Sequence, residues 1–181
     1  RQLVVARSGY SKQGGFEIYV EGSDIAMPPW NALMAAGEDL NVRAGCPNAI
    51  ERIEGGLLSY GNDMTRDNTP HEAGLGRFCS TQTAIGCVGR DALLRVAKEG
   101  PVKQVRPISI SGELPPCDRA WSLMAGSERV GQVTSVARSP EYNTNVAIGM
   151  VRMTHWSPGT ALEVVTQDGI YPCVVQETFW I

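Results

Sequence analysis

Residues 16–20 alternate strictly. Phe16, Ile18 and Val20 share one face, and Glu17 and Tyr19 share the other, the period-two pattern of a strand with one apolar side. Leu3 to Arg7 upstream is Val-rich and also reads as a strand. The segment between them ends in Gly14-Gly15, which tolerates positive φ. The two strands are therefore expected to form a hairpin with Phe16, Ile18 and Val20 toward the core. The period then lengthens. Ala26, Trp30, Leu33, Met34 and Leu40 predict a helix from a cap at Ser23 or Asp24 to about Asp39, with Pro28 and Pro29 in its first turn. A second helix should start at Pro47, bury Ile50 and Ile53, and stop at Gly55-Gly56. Leu57 to Tyr60 reads as a short extended piece and 61–76 as a polar loop. A third helix runs from Val88 to Lys98, ending before Gly100.

Beyond Gly100-Pro101 the helical period is lost. Val102–Ile110, Ala120–Met124, Glu128–Val136, Asn145–Met153, Ala161–Thr166 and Ile170–Gln176 read as short strands. Turn signals such as Pro115-Pro116, Ala125-Gly126-Ser127 and Gln167-Asp168-Gly169 separate them, a spacing that predicts an antiparallel sandwich or barrel. The fold class is α+β, with an α+β part over residues 1–100 and an all-β part over 101–181.

Composition narrows the function classes. The 181 residues are 43 % hydrophobic and 19 % charged, enough to bury a core. A net charge of −3 argues against a general nucleic-acid binder. The chain opens Arg1-Gln2-Leu3 without Met and without a signal-peptide pattern. Five cysteines, with no Cys-x-x-Cys, fit a reducing cytoplasm better than a disulfide framework. His71 and His155 are far apart and lack Cys partners at ligand spacing, so no metal site is expected. His71-Glu72 is an acid/base pair in sequence, but directly after Pro70 it reads as a polar turn.

Three stretches carry candidate chemistry. On the hairpin, Glu17 and Tyr19 project from one face about 6–7 Å apart. A carboxylate beside a phenol suits a flat heterocycle: the carboxylate accepts two parallel N–H bonds, and the phenol stacks on the ring. An ordinary solvated strand face is the alternative. In 45–63, Asn48, Glu51 and Arg52 can share a helical flank, with a structural ion pair between Arg52 and Glu54 as the alternative. In 131–140, a strand ending Arg138-Ser139-Pro140 is either an anion-binding edge or a plain strand end. No Cys–His or Ser–His nucleophile pair stands out.

These stretches are similar to the aminomethyltransferase family typified by the glycine-cleavage T-protein. The family's Gly-Tyr-(Thr/Ser)-x-x-x-Gly-(Phe/Tyr)-Glu motif is matched by Gly9 to Glu17, and its Arg-x-Glu-x-Gly…Tyr-Gly-x-(Asp/Glu) stretch by Arg52 to Asp63. Thr69 to Gly76, Gly89 to Leu93 and Gly131 to Pro140 match three further motifs in order. Ser8 to Gly15 and Gly45 to Asn48 most resemble the branch that demethylates dimethylsulfoniopropionate. Asn48 and Ala49 stand where aminomethyltransferases proper carry Arg and Asp, and Arg77 stands where an aromatic is common.

The resemblance implies a partial folate-binding α+β domain followed by a C-terminal antiparallel β-barrel. It implies tetrahydrofolate as cofactor, a small-molecule one-carbon donor as substrate, and the cytoplasm as location. Transfer of a methyl group from a sulfonium is the implied activity. The alternatives are aminomethyl transfer of the T-protein type and a non-catalytic folate-binding module. Glu17 is implied to take the pterin N–H edge, Tyr10 to line the folate site, and Asn48 to stand at a ligand-contacting position; Tyr19 joins them by strand alternation alone. The family's catalytic Asp belongs to an N-terminal half, so no catalytic residue is assigned, and the chain reads as a C-terminal portion. Its partner is then that half, or a second copy meeting the same apolar surface.

Overall fold

The computed structural model describes residues 2–45, 49–80 and 86–181. By contact the chain divides into two compact units, 1–48 and 49–181. The division falls at Asn48 and not at the change of sequence character near residue 100, because the helix after Asn48 packs on the barrel strands.

In the first unit, β1 (Leu3–Ala6) and β2 (Glu17–Val20) pair antiparallel, with Ala6 opposite Glu17 and Leu3 opposite Val20. Helix α1 (Met27–Ala36) follows a 3-10 turn at Ser23–Ile25, with Pro28 and Pro29 in its first turn. It ends at Gly37, so the expected stretch to Asp39 is completed by a second 3-10 turn, Glu38–Leu40. The hairpin is as expected, but its predicted core face is not. Phe16 is 69 % exposed and Ile18 38 %, and among residues 2–45 only Gly37 is buried. A two-stranded ribbon and one helix have too little surface to bury each other's apolar faces.

The second unit is built on a closed antiparallel barrel. Helix α2 (Ala49–Glu54) and helix α3 (Arg90–Glu99) precede β3 (Lys103–Ile110), β4 (Trp121–Ala125), β5 (Glu128–Ser139), β6 (Thr144–Arg152), β7 (Ala161–Val165) and β8 (Ile170–Val175). The order around the barrel is β3-β6-β5-β4-β7-β8, closed by β8 pairing β3. All six expected strands are present, and β5 extends three residues beyond its predicted end. Ile108, Trp121, Leu123, Val133, Val151 and Val164 fill the interior. Gly149 belongs there because a Cβ would meet Ile108 Cδ1 at 2.4 Å.

A second apolar cluster lies outside the barrel. Ile53 of α2 packs with Val105, Val146, Ile148 and Met150. Strand β6 is therefore covered on both faces, and residues 145–151 are buried without a break. A six-residue helix has no stability of its own, so α2 exists because Ile53 is docked. The C-terminal segment straps it down: Trp180 N–H donates to the Glu54 carbonyl at 2.8 Å, and the Phe179 ring lies over Gly56.

Candidate functional site

The first group of candidate residues sits on the hairpin. Backbone pairing puts Glu17 and Tyr19 two residues apart on one strand, opposite Ala6 and Val4. Both face solvent, as does Tyr10 in the connecting loop. The loop is shaped by positive φ at Lys12, Gly14 and Gly15. It returns Ser8 to the strand, where the hydroxyl donates to Glu17 Oε2. Ser8 thus holds one oxygen of an exposed carboxylate. Sequence reading missed this role of Ser8; the signal was its place at the loop entrance, across the ribbon from Glu17. Asn48 lies outside the described residues.

The second group is a buried polar cluster. Arg52 of α2 donates through Nη1 to Asp63 Oδ2 at 2.8 Å and to the Leu57 carbonyl at 3.1 Å, and through Nη2 to Ser135 Oγ at 2.6 Å. Asp63 has a fully buried side chain, and Arg52 is 14 % exposed. Ser59 N–H also donates to Oδ2, at 2.8 Å. The hydroxyls of Thr134 and Ser135 both donate to Oδ1, each at 2.6 Å. Two adjacent strand residues reach one acceptor only because β5 is bulged there, its register against β6 shifting between Val133 and Ser135. Asn62 Nδ2 completes the cluster, donating to the Thr134 carbonyl at 2.9 Å and to Ser135 Oγ at 3.0 Å.

Charge and donors balance in this cluster. The carboxylate receives a guanidinium, a backbone N–H and two hydroxyls, the full complement that a buried carboxylate needs. It joins the loop after α2 to β5, so the Arg52–Asp63 stretch and the 131–140 stretch form one structural lock. The structural ion pair, whose alternative partner in sequence was Glu54, is made by Arg52 with Asp63. Arg138 donates to Asn143 across the β5–β6 turn, and Ser139 Oγ accepts from Tyr142 N–H at 3.1 Å, so the strand end is a capped turn. Burial, with Glu141 and Glu54 adding to it, raises the Tyr142 phenol above its ordinary value; its hydroxyl donates to the Trp180 carbonyl at 2.9 Å.

Glu72 is occupied structurally, whereas His71 Nε2 is buried without a hydrogen-bond partner among the described residues. Glu72 accepts from Thr69 N–H at 2.8 Å, and Thr69 Oγ1 accepts from Glu72 N–H at 3.2 Å, a reciprocal capping box. The turn docks on β3 through Val105 N–H donating to the Glu72 carbonyl. Among the described residues, no group of three or more His, Cys, Asp and Glu is placed to hold a metal, and no helix is long and apolar enough to cross a membrane. Cys79, Cys87, Cys117 and Cys173 are free thiols.

This fold, with its two motif-bearing groups, has relatives. Residues 1–83 match the GCVT N-terminal domain, and residues 103–180 match the glycine cleavage T-protein C-terminal barrel domain. The chain belongs to the glycine-cleavage T-protein, or aminomethyltransferase, family. A relative from Ruegeria pomeroyi, named dimethylsulfoniopropionate demethylase, is 63 % identical over 99 % of this chain and 49 % of its own length. A relative from Symbiobacterium thermophilum, named aminomethyltransferase, is 34 % identical over 97 % of this chain and 47 % of its own length. The chain spans about half the length of the curated relatives it matches. The crystal structure of the glycine cleavage system aminomethyltransferase T from Bartonella henselae shares the fold, with a TM-score of 0.80 and 24 % identity over 99 % of this chain and 50 % of that one.

Proposed function

We propose that this chain is part of a tetrahydrofolate-dependent methyltransferase that demethylates a sulfonium such as dimethylsulfoniopropionate. The observation that carries the proposal is the 63 % identity, over nearly the whole chain, to a relative named for that demethylation. Residues 1–100 contribute part of the folate-binding domain and 101–181 the C-terminal barrel. The hairpin fits a pterin: Glu17 is exposed, its Oε2 is held by Ser8, and Tyr19 shares the face. When bound, tetrahydrofolate supplies N5 as methyl acceptor. Glu17 accepts the N–H edge of the ring, Ser8 fixes the carboxylate's orientation, Tyr10 lines the pocket and Tyr19 stacks. Asn48 contacts the ligand. A sulfonium is a good leaving group, so the protein's task is alignment of donor and acceptor. The free cysteines accord with action in the cytoplasm.

Aminomethyl transfer is the second reading, favoured by the 34 % identical relative that bears that name. Turnover assays on a protein carrying this chain at the full length of its relatives separate the two: methyl transfer from dimethylsulfoniopropionate to tetrahydrofolate supports the first, and aminomethyl transfer alone overturns it. In the same protein Glu17→Ala should weaken tetrahydrofolate binding by about 1.5–3 kcal/mol, the range for hydrogen bonds to a charged group. Unchanged affinity by calorimetry removes Glu17 from the site.

A further inference from the structure

An open cavity of about 440 Å³ lies where the loop around Asn62–Asn68 meets β3, β5 and β6. Its size falls within the range of small-molecule sites. Three neighbouring strands each bring one cation to it: Lys103 from β3, Arg152 from β6 and Arg129 from β5. Lys103 and Arg152 are direct cross-strand partners, a juxtaposition of like charges that destabilises a sheet unless an anion sits between them.

The local carboxylates supply that anion only in part, at the solvent-exposed Arg152. Asp63 is buried and neutralised by Arg52. Glu128 meets Arg152 at 2.9 Å, but both side chains are more than half exposed, so the pair is weak. Among the described residues Arg129 is held by neutral acceptors, the Gly131 carbonyl at 3.3 Å and Gln132 Oε1 at 3.2 Å, which orient the guanidinium without pairing its charge. Lys103 has no partner among the described residues. Among the described residues Asp67 is the one exposed carboxylate in the lining. Met150 adds an apolar side chain to the lining.

We propose that this cavity binds a small anionic ligand, gripped through phosphate or carboxylate oxygens by Lys103, Arg129 and Arg152. The two guanidinium forks suit either oxyanion. The test is calorimetric titration of the full chain with inorganic phosphate and, separately, with succinate at low ionic strength. Saturable binding of phosphate alone marks a phosphate-bearing ligand, of succinate alone a carboxylate-bearing one, and of both a site for either; each supports the proposal. Lys103→Met and Arg129→Gln should each weaken binding about tenfold, the loss of one charge-assisted contact. Both leave the apolar packing in place, so the thermal midpoint should hold. No binding up to about 20 mM, wild-type affinity in the double variant, or equal binding of chloride would overturn the proposal.

Discussion

Asp63 shows what one residue commits the fold to. Its two oxygens collect a guanidinium, a backbone N–H and two hydroxyls, the hydroxyls from residues 71 and 72 positions away. Asp63→Asn would leave the Arg52 guanidinium without its counter-charge in a part-buried setting, with an expected loss of about 3 kcal/mol in urea unfolding. Thr134→Val keeps the shape and removes one hydroxyl, for about 1 kcal/mol. If both variants unfold like the wild type, the lock is not holding the loop to β5. This cluster was only half legible in the sequence. Arg52 stood out as charged, with Glu54 as one alternative partner, because a sequence shows only near neighbours and Asp63 lies eleven residues on. The available clue was Thr134-Ser135, two polar residues in succession that break an alternating strand, which is how a bulge looks before the fold is known.

At the scale of elements, pattern predicts existence better than orientation. All six barrel strands were readable because each is bounded by turn residues, and all but β4 (Trp121–Ala125) carry β-branched side chains. The hairpin was readable too, yet its apolar face was assigned to a core that residues 2–45 do not form. Alternation tells which side chains share a face; what covers the face depends on elements elsewhere. Helix α2 was placed by its Ile spacing and Gly stop, but the strap over it was not, since it depends on backbone hydrogen bonds from Trp180. Gly56 is the weak point of that strap. Its φ is +64°, and an added Cβ would meet the Phe179 ring at 2.4 Å. Gly56→Ala should cost about 2–4 kcal/mol, from left-handed backbone strain and a displaced ring together. In a Phe179→Ala background the steric part should vanish and leave the strain, a difference that a double-mutant cycle measures.

For the whole molecule, the barrel interior sets the response to alkali. Burial, with Glu163 adding to it and the Leu162 backbone pulling weakly the other way, pushes the Cys173 thiol up to about 12. Burial also pushes Cys117 up to about 11, with Asp118 and Asp63 adding to it. The unfolded chain releases these protons near pH 9, before the folded one does. The stabilisation is therefore complete below about pH 9 and is lost as pH rises toward 12. Urea midpoints should fall between pH 9 and 11, and Cys173→Val should flatten part of that slope; an unchanged slope would mean that Cys173 titrates freely in the fold. The closure of the barrel also has a consequence in time. Strand β3 pairs with β6 on one side and with β8 on the other, so its second edge stays open until Ile170–Val175 has left the ribosome. During synthesis the nascent chain carries an unpaired strand edge and an unfilled apolar interior, and the window for misassembly shuts only when the eighth strand docks.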